Sequence, residues 1–126
     1  MRDRYVREVT VADPVATALR SSVTPRTGEP GDQFTIGGRL VRADDPNANV
    51  GGESMRLLRR PLGTSDWETV VEQRTPADGL LRYVDTPERS TEYMWRFPGS
   101  PRYGPSESPV VLAEVLLTST SRPTAR

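Results

Sequence analysis

The chain has 126 residues, with 17 basic and 17 acidic side chains and neither cysteine nor histidine. This length suits a single domain, and an apolar fraction of 34% allows a core of modest size. Zero net charge argues against a nucleic-acid or membrane partner. The lack of histidine and cysteine removes the central groups of most zinc, haem, thiolate and serine–histidine chemistry, so we expect a non-enzymatic protein without a cofactor.

The first 17 residues read as an N-terminal arm or an extra strand. They contain no apolar run long enough for a secretory signal, but β-forming residues alternate roughly until Asp13 and Pro14. Such a segment pairs either with an edge of the chain's own sheet or with another chain by β-augmentation, and we expect the second. The candidate partner-binding residues are Arg4, Tyr5, Val6, Arg7, Val9 and Val11.

Short segments with the period-2 apolar pattern of β-strands follow the arm. The clearest runs from Gln33 to Arg42. One of its faces carries Phe34, Ile36, Gly38 and Leu40, and the other carries Thr35, Gly37, Arg39 and Val41. The seven predicted strands are 18–23, 33–42, 53–60, 67–73, 80–84, 92–97 and 109–118. Short strands separated by turn residues at this spacing are typical of a β-sandwich.

Six motifs follow one another along the chain: Gly31–Leu40, Leu57–Arg60, Trp67–Val71, Thr75–Gly79, Thr91–Gly99 and Ser106–Val111. In this order and spacing, residues 18–117 resemble the bacterial immunoglobulin-like modules found as repeats in surface proteins and as accessory domains in phage virion proteins. The resemblance implies one immunoglobulin-like β-sandwich of about seven strands, and it implies a fold rather than a function. Because the cysteine pair of antibody domains is missing, apolar packing alone must hold the core.

Three aromatic residues are candidates for special roles. Tyr93 stands near the start of the penultimate strand and resembles the tyrosine corner, in which the hydroxyl bonds to nearby backbone. Trp67 and Trp95 suggest either a platform that stacks against sugar rings or packing within the sheets. We expect packing, because both tryptophans lie inside strand patterns.

A calcium site is a candidate in the loop that precedes the third predicted strand. Asp45, Asn47 and Asn49 are spaced like the first ligands of a calcium loop. Val50 and Arg56 then stand where such a loop needs glycine and a bidentate glutamate. We therefore expect a turn-rich connection without a metal ion.

A small basic cluster consists of Arg56, Arg59 and Arg60. It is either a contact for phosphate or an acidic partner, or a solvated strand edge. Strand alternation separates Arg59 from the other two. We therefore expect a solvated edge.

The sequence predicts an N-terminal arm at 1–17, an all-β immunoglobulin-like sandwich at 18–118 and a polar tail at 119–126. All 17 basic residues are arginine, which favours a GC-rich bacterial or phage genome. We expect a phage virion accessory protein, such as a capsid decoration or tail accessory protein. It would be located in the virion and bound to a capsid or tail protein, with self-association as a further option. The alternative is a cell-surface adhesion or carbohydrate-binding module.

Overall fold

The structure is a computed structural model that describes residues 13–117. Within this range it contains ten β-strands and no helix, and hence no helix that would cross a membrane. The strands are β1 (Thr17–Thr24), β2 (Thr27–Gly28), β3 (Phe34–Arg42), β4 (Asp45–Asn49), β5 (Ser54–Pro61), β6 (Glu68–Arg74), β7 (Leu80–Asp85), β8 (Thr91–Phe97), β9 (Ser106–Glu107) and β10 (Val111–Val115).

Four of these strands form the first sheet, with β3 at its centre. One edge of β3 pairs antiparallel with β1 along the whole of β1. The other edge pairs with β7 as far as Arg39 and then with β4. Both β1 and β7 are therefore edge strands on either side of β3.

The other six strands form the second sheet, in the order β2-β10-β8-β5-β6 with β9 also beside β8. The β2 and β10 strands are parallel, and all other pairs are antiparallel. β5 occupies one edge of β8. The other edge of β8 is shared by β9 and β10. The chain passes from the first sheet to the second between β1 and β2, at Pro25 and Arg26.

The two sheets pack on one hydrophobic core, an arrangement consistent with a β-sandwich. The alternation predicted for β3 is confirmed, since Phe34, Ile36 and Leu40 are all 0% exposed. The first sheet also contributes Leu19 and Leu81 to the core. The second sheet contributes Met55, Leu57, Tyr93, Trp95, Phe97, Ala113 and Val115.

One indole ring joins the centres of the two sheets. Trp95 of β8 is 0% exposed, and its Nε1 donates a hydrogen bond of 3.0 Å to the carbonyl oxygen of Gly37 on β3. A Cβ atom added to Gly38 would lie 2.7 Å from the indole. The glycine in the apolar face of β3 therefore makes room for the ring, and the expectation that Trp95 packs inside the domain is confirmed.

All seven predicted strands have a counterpart, but the expected total of about seven is too low. Six of them begin and end within one residue of the predicted bounds, while the segment 109–118 is a strand only from Val111 to Val115.

Ser108 lies between β9 and β10 and interrupts the row of residues that pair with β8. Its backbone N–H donates to the carbonyl oxygen of Trp95 at 2.9 Å, and its Oγ accepts from the N–H of Trp95 at 2.9 Å. The adjacent Pro109 has no N–H to continue a ladder.

The three additional strands are short and lie in segments predicted as loops. β4 is the longest of them and occupies the candidate calcium loop. Asp45 lies opposite Arg42, and Asn49 lies opposite Val41. The predicted turn chemistry is also present, because Oδ1 of Asp45 accepts a 3.0 Å hydrogen bond from the N–H of Asn47. The loop becomes a strand because β7 begins only opposite Arg39 and leaves the edge of β3 beyond Arg39 open, which local composition does not reveal.

Most of the predicted N-terminal arm lies outside the described residues. This applies to all six candidate partner-binding residues, Arg4, Tyr5, Val6, Arg7, Val9 and Val11. The last part of the arm belongs to the domain itself. Val15 donates from its N–H to the carbonyl oxygen of Arg102 at 2.9 Å, and accepts at its own carbonyl from Gly104 at 2.8 Å. Residues 118–126 also lie outside the described range.

Candidate functional site

A polar cluster links the two sheets where the core meets solvent. Asp85 ends β7 in the first sheet, while Arg59 and Tyr93 lie directly opposite each other on β5 and β8 of the second. Oδ2 of Asp85 accepts a 2.7 Å hydrogen bond from the Tyr93 hydroxyl. It also accepts a 2.8 Å hydrogen bond from Nη1 of Arg59. One carboxylate oxygen thus connects both sheets.

This cluster corrects the tyrosine-corner prediction. The Tyr93 hydroxyl donates to the side chain of Asp85 and not to nearby backbone. A carboxylate is a stronger acceptor than a peptide carbonyl, and β7 ends with an acidic residue turned toward the interior. The pairing depends on how the two sheets face each other, so no sequence motif identifies it.

The pKa shifts of the cluster favour a structural role. Burial tends to raise the pKa of Asp85, but hydrogen bonds from Tyr93, Arg59 and the N–H of Thr86 outweigh it and the net shift is downward. Burial, together with the hydrogen bond to Asp85, raises the pKa of Tyr93 far above its usual range. At neutral pH the carboxylate stays ionised and the phenol stays protonated. Neither group is tuned to exchange a proton near pH 7.

The outer face of the second sheet contains a row of four charged side chains in register across four strands. Arg56 on β5 lies directly opposite Arg96 on β8. On the far sides, Glu72 of β6 lies opposite Arg56 and Glu107 of β9 lies opposite Arg96. The Arg56–Glu72 and Arg96–Glu107 ion pairs measure 3.0 and 2.8 Å. We call this set the neutralised row.

The rest of this face is also balanced in charge. Arg60 forms an ion pair of 2.8 Å with Glu92, and its guanidinium lies 4.2 Å from the centroid of the Trp67 ring. One face of Trp67 is therefore covered by a cation. The predicted separation of Arg59 from Arg56 and Arg60 is confirmed, but the expected strand edge is wrong, because β5 lies between β6 and β8.

The outer face of the first sheet differs in its charge. Arg20 on β1 lies directly opposite Arg39 on β3, and Arg39 lies opposite Leu80 on β7. We call Arg20, Arg39 and Leu80 the cationic row. Arg82, two residues along β7, lies opposite Gly37. The outward side chains of β1, β3 and β7 around these arginines are the arginine face.

The three strands of the arginine face, β1, β3 and β7, supply no acidic side chain that compensates it. β1 and β3 contain neither aspartate nor glutamate, and the single acid of β7 is Asp85, which bonds to Arg59 and Tyr93. Among residues 13–117, Arg20, Arg39 and Arg82 form no ion pair. The Nε of Arg39 is buried and has no hydrogen-bond partner in that range. Like charges directly opposite each other in a sheet are destabilising, so this face lowers the stability of the isolated domain.

A shallow depression lies within the arginine face. It has a volume of about 380 Å³ and is lined by Arg20, Ser22, Gly37, Arg39 and Leu80, among others. Gly37 contributes no side chain, and a Cβ added there would lie 2.8 Å from Oγ of Ser22. This glycine therefore keeps the depression open between the arginines. Sequence alternation placed Gly37 and Arg39 on one face, but it did not indicate that Arg20 lies opposite.

The described residues 13–117 contain no group of three acidic side chains arranged to hold a metal ion. No known family model matches the chain, and no curated protein matches it. Function is therefore inferred from the chemistry of the two outer faces and of the cluster between the sheets.

Proposed function

We propose that this chain is a non-catalytic immunoglobulin-like module that attaches to a larger protein assembly through its arginine face. The immunoglobulin-like part of the proposal is supported by strand order. In constant-type immunoglobulin sandwiches the first, second, fourth and fifth strands share one sheet, and the third, sixth and seventh share the other. Here β1, β3 and β7 share one sheet, while β5, β8 and β10 share the other. The order in this chain agrees except for the fourth of the seven strands, β6, which pairs with β5 in the second sheet.

The observation that carries the proposal is the difference in charge between the two outer faces. On the second sheet, Arg56, Arg60 and Arg96 each have a glutamate partner. On the first sheet, three outward arginines have none in the described range. A flat face of about three strands suits a macromolecular partner, since small-molecule sites are usually deep and enclosed.

The assembly we propose is a virion, with this chain as a capsid decoration or tail accessory protein. The resemblance to accessory domains of phage virion proteins supports this setting. The N-terminal arm is a second proposed contact, through the candidate residues Arg4, Tyr5, Val6, Arg7, Val9 and Val11. The alternative of carbohydrate binding lacks an open aromatic platform among the described tryptophans, because Trp95 is 0% exposed and Arg60 covers Trp67.

Sedimentation of native particles tests the proposal. The tagged full chain is expressed in its native source, and the lysate is separated on a density gradient at low and at high salt. We expect the chain to sediment with a high-mass particle at low salt and to be released at about 1 M salt, where charge attraction is screened. Sedimentation of all the chain at the position of a 14.0 kDa monomer in low salt would contradict the proposal.

Two variants show which surface makes the attachment. We expect R20Q/R39Q/R82Q to lose the particle, whereas the matched control R56Q/R60Q/R96Q retains it. Deletion of residues 2–12 is expected to weaken attachment while shifting the melting temperature of the isolated protein by less than about 4 °C, the shift that about 1 kcal/mol causes in a domain of this size. A deletion variant that melts far lower yet attaches normally would show that the arm completes the chain's own sheet.

A further inference from the structure

The neutralised row shows how this fold satisfies two arginines that lie opposite each other. Arg56 and Arg96 each take a carboxylate from the strand on their far side, Glu72 and Glu107 respectively. The four side chains form a row across the sheet in the order acid, base, base, acid. Each arginine uses its Nε as the donor to the carboxylate, at 3.0 Å for Arg56 and 2.8 Å for Arg96.

The cationic row has the same central pair but no acids beyond it. On one side, β1 is an edge strand, so no further strand of this sheet follows Arg20. On the other side, Leu80 takes the place of an acid opposite Arg39. Nε of Arg39, the donor that would match those of the neutralised row, is buried without an acceptor among the described residues. A buried charged donor without a partner is costly, and this makes the Arg39 guanidinium a candidate for binding a carboxylate from another molecule.

The neighbours of the cationic row indicate what carries that carboxylate. Leu80 and Val84, on the same face of β7, are 44% and 43% exposed. Arg82 lies between them on that face. Side chains two residues apart on a strand lie on the same face and repeat about every 7 Å. An extended chain whose every second residue is alternately acidic and aliphatic therefore matches this pattern of cations and apolar groups.

A nucleic acid fits this surface less well. Three arginines offer few phosphate contacts compared with the 6 to 10 or so that give tight, salt-dependent binding. The whole chain has no net positive charge to attract a polyanion. Exposed leucine and valine side chains have no counterpart on a phosphate backbone. The mixture of arginine and aliphatic groups instead favours a protein segment.

We propose that the arginine face binds an extended acidic and aliphatic segment of a partner protein, with one carboxylate in the depression between Arg20 and Arg39. The guanidinium of Arg39 binds this carboxylate, and Arg20 adds a second positive charge. Leu80 and Val84 contact the aliphatic side chains. This inference rests on the proposed function, and it specifies the chemistry of the partner at the same surface.

Titration with defined peptides tests this chemistry on the full-length protein. The probe is a fluorescent ten-residue peptide in which every second residue is alternately glutamate and leucine or valine, so that both kinds of side chain share one face, and its control carries glutamine in place of glutamate. We expect saturable binding of the acidic peptide at low salt with a dissociation constant below about 1 mM. Amide chemical shifts are expected to change in β1, β3 and β7. Equal binding of the glutamine peptide, or shifts confined to β5 and β8, would overturn the proposal.

Variants of the central arginine separate a specific contact from general charge. We expect R39Q to weaken binding roughly tenfold, which corresponds to the loss of about one charged hydrogen-bonded contact. R39K keeps the charge but lacks the planar fork of donors, so we expect an intermediate loss. The matched control R56Q, on the opposite face, is expected to bind like the parent protein. All variants are first compared with the parent by circular dichroism. If folded R39Q and R56Q bind the peptide equally well, the proposal is wrong.

A short DNA duplex serves as the competing probe. Tighter binding of the duplex than of the acidic peptide, with a loss in R39Q, would replace the protein segment with a nucleic acid and overturn the proposal. If the peptide does not bind, but the chain attaches to the particle and R39Q abolishes that attachment, this partner chemistry is rejected and the proposed function is retained. Peptide binding by a chain that never sediments with a particle would reject the proposed function and retain the chemistry.

Discussion

Each outer face of the domain places two arginines directly opposite each other on neighbouring strands, but the surroundings of the two pairs differ. On the second sheet, Arg56 and Arg96 are flanked by glutamates at 3.0 and 2.8 Å. On the first sheet, Arg20 and Arg39 are flanked by a sheet edge and by Leu80. The same local pairing is therefore neutral on one face and strongly cationic on the other.

This contrast shows that the net charge of the whole chain does not predict the charge of either outer face. The sequence has equal numbers of acids and bases, yet the acids of the central strands are concentrated on one face and in the cluster at Asp85. A like-charge pair directly opposed in a sheet costs stability. A site that breaks such a rule without compensation inside the domain is a candidate for binding.

The largest expected effect on stability follows from replacing Trp95, because this residue supports both sheets. Trp95 lies opposite Leu57 in the second sheet and donates to the carbonyl of Gly37 beneath the arginine face. We expect W95A to lower the free energy of unfolding by about 3–5 kcal/mol, and W95F by less because the ring volume is largely kept. Urea denaturation measures both. A near-neutral W95A would place the indole outside the core and remove the common support of the two faces.

A medium effect is expected from the cluster that holds the two faces together. D85N removes the negative charge that pairs with Arg59 and accepts the hydrogen bond from Tyr93. We expect the free energy of unfolding to fall by roughly 2 kcal/mol, which is less than for a fully buried pair, because the Arg59 side chain is 35% exposed. W95F serves as a comparison variant, since it leaves this cluster intact.

The same cluster predicts a dependence on pH. The pKa of Asp85 is lower in the folded protein than in the unfolded chain, mainly because hydrogen bonds overcome the opposing effect of burial. Its contribution to stability is therefore complete above the unfolded value of about 3.9 and is lost as the pH falls through the folded value. Melting temperatures from pH 7 to pH 2 should show the parent protein approaching D85N in acid. A constant difference between the two across this range would contradict the assigned shift.

The smallest effects compare the two rows directly, and their signs are opposite. We expect R20Q to raise the free energy of unfolding by about 0.3 kcal/mol, because it removes the repulsion with Arg39. We expect R96Q to lower it by about 0.5 kcal/mol, because the exposed ion pair with Glu107 is lost. Both differences should shrink at about 1 M salt. Equal signs for the two variants in low salt would show that the rows do not differ in electrostatic balance.

The sequence alone determined where most strands lie. Apolar alternation in segments such as Gln33–Arg42 marks both the strand and its buried face, because successive side chains point to opposite sides of any β-strand. The same rule separated Arg59 from Arg56 and Arg60. These properties are local, so they follow from residues a few positions apart.

The tertiary structure alone decided which side chains meet across strands. Arg20 and Arg39 are separated by 19 positions, and Trp95 and Gly37 by 58, yet they are neighbours in the folded chain. The acceptor of Tyr93, the strand formed by Asp45–Asn49 and the missing acids beside Arg39 likewise depend on register and on where neighbouring strands end. Alternation gives each side chain a face but does not specify which strand lies beside it. Pairing between distant segments, and with it the balance of charge on each face, is fixed only when both sheets close on their common core.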